Sequence, residues 1–383
     1  MRRIVIEETT LRDGEQTPGV NFFMEDRLEI AHALSEILTE DDVLDSGFPA
    51  ASELDAAAIH ALKSVNKKQF ILATGRMRQG DIDITRDTLA GCDKRQMALI
   101  VPSSKLHREE KLGLSDDALI DTATSAVRYA RRFFPTVTIG MEDATRTEPE
   151  FLVRLTDALI EAGAGVITYA DTVGGCDPWS YGELFAMLRR RVANIDRLDG
   201  LGAHCHDDLG LALANSLAAL RAGANRLGCA FNGLGERAGN AATEEVLMCF
   251  KLHDALPNPN RDRYGYDKIK ACSELVARLS GVAVQKHKAV VGEHCFAHES
   301  GIHQDGLLKN PKMYEAYDPR VIGVPGHTFV LGKQSGRRAL ASRLTALGVS
   351  VDEGKMDDLF ARFKRMAERK KQIVDADLLE LLS

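Results

Sequence analysis

A repeated alternation of strand-like and helix-like segments is the feature that most constrains how this chain can fold. Short apolar, β-branched runs recur eight times, and each pair is separated by enough chain for one helix. Such runs predict buried strands, and strands that alternate with helices predict parallel βαβ units. The predicted strands are Ile4–Thr10, Asp42–Pro49, Gln69–Arg76, Gln96–Pro102, Thr136–Asp143, Gly165–Thr172, Leu201–Asp208 and Arg226–Gly233.

The intervening segments carry helical periodicity, and the clearest are Glu25–Ser35, Asp117–Arg132, Glu148–Ala162 and Leu211–Ala222. Eight strand–helix units within about 250 residues are the content of a closed (β/α)₈ TIM barrel. An open, doubly wound sheet is the structural alternative, but it rarely contains so many equal units. The predicted fold class is therefore α/β, with a barrel that occupies residues 1–255.

The strand–helix rhythm stops after the eighth unit, at the turn-rich segment 256–260. A helix is predicted over Tyr266–Leu279, within a helical linker at residues 256–284. The amphipathic segments that follow are Ser335–Leu347, Lys355–Arg369 and Asp375–Leu382. We therefore expect residues 285–383 to form smaller, mostly helical C-terminal subdomains.

Composition excludes several classes of protein. The net charge of −7 gives no electrostatic reason to bind nucleic acid. No run of about 18 apolar residues is present, so no membrane span is predicted, and the N-terminus lacks the features of a secretory signal. The seven cysteines are scattered and never spaced CxxC, which argues against a disulfide framework and a thiolate zinc site. We expect a cytoplasmic protein.

The sharpest polar feature is the pair His204 and His206 at the end of the seventh predicted strand. Side chains two positions apart on a strand face the same way, so both imidazoles can bind one metal ion. Asp13, at the end of the first strand, borders the same opening and can supply an oxygen ligand. A mixed histidine and carboxylate set suits Mn²⁺, Zn²⁺, Fe²⁺, Co²⁺ or Mg²⁺. The alternative is that the histidines are hydrogen-bonded core or surface residues.

Further polar residues follow the other strands, at the barrel face where such enzymes place their active sites. Arg12 would put a permanent cation beside Asp13, which suits an oxygen atom that gains negative charge, whereas the alternative is an ion pair with Glu142 or Asp143. The candidates for substrate binding are Gln16, Asp45, Arg76, Glu142 and Thr172.

Five segments resemble the isopropylmalate, homocitrate and citramalate synthase family. They are Glu8–Gly19, Gly202–Ala212, Asn232–Ala241, Phe296–Gly306 and Val330–Arg337. The resemblance covers nearly the whole chain. It implies a (β/α)₈ barrel and a divalent metal, such as Mg²⁺, Mn²⁺, Zn²⁺ or Co²⁺, held by Asp13, His204, His206 and Asn240. It also implies that Arg12 stabilises a developing oxyanion.

The resemblance further implies a Claisen condensation, in which acetyl-CoA is joined to a small-molecule α-keto acid with release of CoA. His303 and Tyr314 match residues that approach acetyl-CoA in relatives, and Glu299 lies close to His303 in the sequence. His303 is therefore the candidate base. Relatives are domain-swapped homodimers, so these residues are expected to serve the barrel of the partner subunit.

Departures from the family pattern concern the acceptor. Isopropylmalate synthases carry a leucine-sensing C-terminal domain, and this chain ends at Ser383 without one, so leucine control is not expected. Small residues stand at Ala98, Gly140 and Ala170, and Arg76 is a candidate partner for a distal acidic group. These residues favour a homocitrate synthase-like reaction with a dicarboxylic acceptor.

Several alternatives to that reaction stay open. One is an isopropylmalate synthase without leucine control, and another is condensation with an unusual acceptor such as phosphonopyruvate. A carbon–carbon lyase on the same barrel, similar to the hydroxymethylglutaryl-CoA lyases, is a third. A non-catalytic metabolite-binding protein is a fourth.

Overall fold

A computed structural model describes residues 3–256, 258–371 and 373–382. Eight parallel strands lie in its N-terminal part, and β1 pairs with both β2 and β8, which closes the sheet into a barrel. The strands are β1 (Val5–Glu8), β2 (Val43–Asp45), β3 (Phe70–Arg76), β4 (Arg95–Pro102), β5 (Thr136–Glu142), β6 (Val166–Asp171), β7 (Gly200–Cys205) and β8 (Arg226–Cys229). Closure confirms the predicted (β/α)₈ barrel and excludes the open sheet.

One helix follows each strand, as parallel connections require. These helices are α1 (Met24–Ile37), α2 (Glu53–Val65), α3 (Gln79–Thr88), α4 (Asp116–Ala130), α5 (Pro149–Ala162), α6 (Pro178–Arg191), α7 (Ala212–Arg221) and α8 (Thr243–Leu252). Several begin at a residue whose side chain satisfies free backbone amides, as Ser52 does for Asp55 in α2 and Asp177 does for Ser180 in α6. A ninth helix, α9 (Ile269–Ser280), packs against α1.

Towards the amino ends of the strands, the barrel interior holds an apolar cluster together with the buried Arg226 and Gln96, and towards the carboxyl ends it is polar. Val43, Leu72 and Ala98 form an inner cluster with Val5 and Phe70. Each apolar side chain of this size that is removed from water stabilises the fold by about 1.5–3 kcal/mol. Because this cluster fills one end of the barrel, polar side chains that could bind a substrate lie at the opposite end.

Three strands end three or four residues earlier than the sequence pattern predicted. β2 ends at Asp45 rather than Pro49, and Gly47 nearby has a φ of 126°. β8 ends at Cys229 rather than Gly233, because the chain turns through Asn232 and Gly233, which have φ angles of 59° and 71°. Left-handed backbone cannot continue a strand. The third, β7, ends at Cys205, three residues before the predicted boundary at Asp208.

The chain divides into two compact units between Ala283 and Val284. The second unit contains a short parallel pair of strands and four helices within the described residues. They are β9 (Ala297–His298), α10 (Gly301–Lys309), β10 (Thr328–Phe329), α11 (Arg337–Ala346), α12 (Glu353–Ala367) and α13 (Asp375–Glu380). Leu340, Leu344, Leu359 and Phe363 form the buried centre of this unit.

Candidate active site

Asp13, His204 and His206 meet at the carboxyl ends of β1 and β7. The Nε2 atom of His204 lies 3.3 Å from Oδ2 of Asp13, and that of His206 lies 4.0 Å from the same oxygen. One ligand atom from each of the three residues lies within 4.8 Å of the others. The structure thus brings together the three residues that the sequence proposed as metal ligands.

Two atoms next to this triad are buried and take part in no hydrogen bond with the residues that the structure describes. They are Oδ1 of Asn240 and Nδ1 of His206. The Nδ2 atom of Asn240 donates to the carbonyl of Leu234 at 2.8 Å, which leaves the carbonyl oxygen of the Asn240 amide as a free ligand. A buried polar atom without a partner is costly, so the donor set fits a divalent cation.

Local backbone structure explains how these ligands converge. His206 lies just beyond β7, where it forms an isolated antiparallel bridge with Asn240. Gly235 has a φ of 156°, and a Cβ atom there would lie 2.1 Å from Nδ2 of Asn240. Glycine at this position therefore allows the loop after β8 to bring Asn240 against the triad.

Charge at the triad is arranged so that the ligands are in metal-binding form. Burial raises the pKa of Asp13, but Arg12 and His204 outweigh it and hold the pKa of that carboxyl well below its usual range. Burial, aided by the nearby His204, lowers the pKa of His206 to about 4. An ionised carboxylate and a neutral imidazole are the states that bind metal ions.

Arg12 is fixed between two carboxylates. Its Nε donates to Oδ2 of Asp45 at 2.7 Å, and its Nη1 donates to Oδ2 of Asp13 at 2.9 Å. Burial disfavours the charged guanidinium, but Asp45 and Asp13 outweigh that effect and raise the pKa of Arg12 above its usual value. The alternative ion pair of Arg12 with Glu142 or Asp143 is wrong, since Asp45 and Asp13 take both places.

A cavity of about 400 Å³ lies beside the triad at the mouth of the barrel. Besides Arg12 and Asp13, six polar residues proposed from the sequence line it, namely Gln16, Asp45, Glu142, Thr172, His204 and His206. The small residues Ala98, Gly140 and Ala170 line it as well.

Glu142 and Thr172 have partners within the barrel mouth. Lys111 donates from Nζ to both carboxylate oxygens of Glu142, at 2.7 and 2.9 Å. The hydroxyl of Thr172 accepts the backbone N–H of Asp143 at 2.9 Å.

Arg76 is not among the residues that line this cavity, and its assignment to the acceptor stays a prediction. Its guanidinium donates to both oxygens of Asp81, from Nε at 2.8 Å and from Nη2 at 3.1 Å. Its side chain is 53% exposed. Arg76 is the last residue of β3 and shares a face of the strand with Thr74, two positions earlier. Beyond the strand end, Asp81 near the start of α3 binds its guanidinium.

Sequence reasoning missed several cavity residues. They are Glu7, Thr138, Thr168 and Lys111. The first three lie at alternate strand positions that face the barrel interior, so strand periodicity traced back from the strand ends would have found them. Lys111 lies on the π-helix His107–Leu112, which carries no sequence signature of a site.

The second unit holds the three remaining candidates. The rings of His303 and Tyr314 stack with centroids 4.1 Å apart. Glu299 does not join them through any hydrogen bond among the described residues; its carboxylate lies over Gly332, where a Cβ atom would come within 2.3 Å of Oε1. The rings of His303 and Tyr314 thus lie together within this unit, and their role towards acetyl-CoA stays a prediction.

Comparison with known proteins follows the same two-unit division. Residues 3–276 match the HMGL-like family, and residues 290–371 match the homocitrate synthase post-HMGL domain-like family. The 2-isopropylmalate synthase of Geobacillus kaustophilus is 43% identical over 382 residues, which cover 100% of this chain and 73% of that protein. The 2-isopropylmalate synthase of Dictyoglomus turgidum is also 43% identical, over 100% of this chain and 75% of its own length.

A solved structure shares the barrel. The HMG-CoA lyase of Bacillus subtilis superposes with a TM-score of 0.62 at 20% identity, over 74% of this chain and 96% of that one. None of the helices in the described ranges has the length and apolar character to cross a bilayer.

Together, the closed barrel and the carboxylate–histidine cluster at its mouth define a TIM-barrel enzyme of the metal-binding kind. Within that class, the chain belongs to the HMGL-like family, in its isopropylmalate synthase-like branch of acyltransferases.

Proposed function

We propose that this protein condenses acetyl-CoA with an α-keto acid and releases CoA and a 2-hydroxy-2-alkyl dicarboxylic or tricarboxylic acid. The observation that carries the proposal is the arrangement of Arg12 beside the cluster of Asp13, His204 and His206. Relatives named 2-isopropylmalate synthase that match the whole chain support the same chemistry.

Asp13, His204, His206 and Asn240 would hold the divalent cation. When bound there, Mg²⁺, Mn²⁺, Zn²⁺ or Co²⁺ supplies Lewis acidity to the carbonyl and carboxylate of the keto acid. Arg12 stands beside the same position, with Nη1 2.9 Å from the ligand oxygen of Asp13. Its fixed charge stabilises the alkoxide that forms when the keto carbon is attacked.

Gln16, Glu142 and Thr172 line the cavity with groups that accept or donate hydrogen bonds, so they orient the keto acid. Asp45 acts through Arg12, since it accepts the Nε proton of that guanidinium at 2.7 Å. Orientation of this kind converts a bimolecular encounter into a reaction between fixed groups.

The acetyl methyl group must lose a proton before it can attack. We assign this step to His303, which stacks on Tyr314, with Glu299 as a further candidate of the same unit. We further propose that the chain is a domain-swapped homodimer in which these residues serve the partner's barrel. Water then cleaves the thioester: its hydroxyl becomes part of the new carboxylate, and its remaining proton goes to the CoA thiolate.

A carbon–carbon lyase is the weaker alternative. The HMG-CoA lyase structure aligns with 74% of this chain, whereas the second unit matches a domain described for homocitrate synthase. The acidic acceptor expected from Arg76 also loses support, because Arg76 is paired with Asp81 outside the cavity.

Release of CoA thiol from acetyl-CoA, measured with a panel of α-keto acids, tests the proposal. The panel should hold pyruvate, 2-oxoisovalerate, 2-oxoglutarate, oxaloacetate, phenylpyruvate and phosphonopyruvate, each with added divalent metal. We expect keto-acid-dependent release that disappears in Asp13→Ala. Cleavage of a hydroxyacyl-CoA to acetyl-CoA without condensation would instead establish the lyase.

A further inference from the structure

Glu7 is a buried carboxylate in the wall of the cavity that the proposed mechanism does not use. The residue is 8% exposed and lines the cavity. Val5, two residues earlier on β1, packs into the apolar cluster inside the barrel. Because side chains two positions apart on a strand share a face, Glu7 also points to the barrel interior, on the side of the cavity.

Strand register fixes where Glu7 lies relative to the metal ligands. Gly228 on β8 pairs with Glu7 on one side and with His204 on the other. The two Cα atoms are therefore two strand spacings apart, or about 10 Å. Gly228 has no side chain, and a Cβ atom there would lie 2.6 Å from Nδ1 of His204. No side chain of β8 therefore stands between Glu7 and His204 along this row.

Only one oxygen of the Glu7 carboxylate is paired. Arg226 donates from Nε to Oε2 of Glu7 at 2.5 Å, and from Nη2 to Gln96 at 3.2 Å. Arg226 is 4% exposed, so this ion pair holds Glu7 in place beneath the cavity. In the described part of the chain, nothing donates to the second oxygen, Oε1. The cavity wall therefore contains a fixed hydrogen-bond acceptor that has spare capacity.

Two hydroxyl groups in the same wall also lack partners. Thr138 and Thr168 both line the cavity, and their Oγ1 atoms are buried without a hydrogen bond to any described residue. Their neighbours on adjacent strands are small, since Thr138 pairs with Ala98 and Thr168 pairs with Gly202. A purely apolar acceptor side chain would displace water from these groups and leave them unsatisfied, which is unfavourable.

Charge argues against a second carboxylate on the acceptor. Five carboxylates line the cavity, against three permanent cations. Each cation is already paired with a carboxylate: Arg12 with Asp45, Lys111 with Glu142, and Arg237 with Asp208. Glu7 is itself paired with Arg226, so an acidic side chain near Glu7 would meet carboxylate oxygens and find none of these cations unpaired.

We propose that the acceptor is an α-keto acid whose side chain carries a neutral hydrogen-bond donor, such as a hydroxyl group, and that Glu7 accepts this hydrogen bond. The inference rests on the proposed condensation and names the substrate class of its acceptor site. It makes Glu7 a specificity-determining residue, and it replaces the dicarboxylic acceptor expected from the sequence.

Two pairs of acceptors of nearly equal shape test it. 4-Hydroxy-2-oxobutanoate and 2-oxopentanoate differ by a terminal hydroxyl in place of a methyl group. Oxaloacetate and 4-methyl-2-oxopentanoate differ by a carboxylate in place of an isopropyl group. For the natural chain, we expect kcat/KM to favour the hydroxyl over the methyl acceptor by about 10-fold or more, and to be lower for oxaloacetate than for its apolar counterpart.

Variants at Glu7 then assign the preference to this side chain. Glu7→Leu should reduce the hydroxyl preference to within about 3-fold, because the acceptor oxygen is gone. Glu7→Gln keeps an oxygen and a partner for Arg226, so it should keep that preference and raise relative activity on oxaloacetate about 10-fold. Glu53→Gln, an exposed carboxamide substitution on α2, should change neither ratio.

The proposal is overturned if the natural chain prefers the apolar member of the first pair or treats its two members alike. It is equally overturned if both Glu7 variants keep the natural ratios. If Glu7→Leu does not fold, the role of Glu7 is tested with Glu7→Gln, through the ratio of kcat/KM for oxaloacetate to that for 4-methyl-2-oxopentanoate. Absence of Asp13-dependent CoA release with these four acceptors and with 2-oxoisovalerate would reject the condensation itself, whereas release without discrimination rejects only the role of Glu7.

Discussion

The guanidinium of Arg12 is held by Asp45, whose Oδ2 accepts from Nε at 2.7 Å. Asp45 is in turn buried and accepts from the hydroxyls of Thr9 and Thr74, both at 3.3 Å. The residue that lies beside the metal ligands is therefore positioned by a carboxylate on the neighbouring strand.

Asp45→Asn should lower kcat by about 10-fold to 100-fold while the KM for acetyl-CoA changes little, because a mispositioned Arg12 stabilises less of the charge that develops in the transition state. Steady-state kinetics on the best acceptor measure this effect. Thr74→Val, which removes one of the 3.3 Å contacts to Asp45, should have a much smaller effect. Equal losses in the two variants would show that Asp45 has no special role towards Arg12.

Metal content should depend on the residues of the cluster. Asp13→Ala and His204→Ala should abolish stoichiometric metal binding, because each removes one of the few charged or imidazole ligands. Asn240→Ala should weaken it by about 10-fold to 100-fold. Elemental analysis after dialysis against a weak chelator measures the metal content of each variant. The control is His32→Ala, which replaces an exposed histidine on α1. Unchanged metal content in all three variants would contradict the assigned site.

Stability should fall as pH rises from about 5 to 7. Burial raises the pKa of Glu8 to about 7, although hydrogen bonds from Thr10, Thr243 and Phe231 oppose it. The folded state therefore binds the Glu8 proton more tightly than the unfolded state does. The stabilisation that this proton provides is fully present below the ordinary pKa of glutamate. It is lost as pH rises through the pKa of Glu8 in the folded state.

A pKa difference of this size corresponds to about 3 kcal/mol in the free energy of unfolding. Asp42, whose pKa burial raises to about 6, adds a change of the same sign. Urea denaturation at several pH values measures how steeply the free energy of unfolding falls with pH. Glu8→Gln should make this fall less steep, whereas Glu53→Gln should not change it. A slope that is unaffected by Glu8→Gln would show that Glu8 is not the group that titrates.

Arg76→Ala should leave the KM for every acceptor unchanged within about 2-fold, because the side chain is paired with Asp81 and lies outside the cavity. The cost to stability should also be small, because the Arg76 side chain is half-exposed and the buried Asp81 keeps the backbone N–H of residue 76 as a donor at 3.0 Å. Steady-state kinetics with 2-oxoglutarate provide the sharpest comparison. A selective rise in the KM for that dicarboxylic acid would restore Arg76 as an acceptor-binding residue.

Strand–helix alternation was sufficient to predict the barrel, and the residues at the strand ends were sufficient to predict the triad. Both inferences rest on short-range regularities: a period of two along a strand, and the rule that parallel strands end at one face. For that reason, Asp13 and His204 could be paired although 190 residues separate them in the sequence.

Boundaries and partners were harder to predict. The early end of β8 follows from left-handed backbone at Asn232 and Gly233, which the apolar pattern of the preceding residues does not reveal. Arg76 was assigned to the acceptor because it ends a strand, but Asp81 competes for it only once α3 has folded back.

The sequence by itself determined the fold class, the family and the candidate metal-ligand set, because each depends on residue types at regular or characteristic spacings. Tertiary structure alone decided which charges are already neutralised and which are left free. The contrast between Arg76, paired with Asp81, and Glu7, with one oxygen unpaired, is the clearest case. Pairing depends on distances between side chains from different strands and helices, and these distances exist only after the barrel closes.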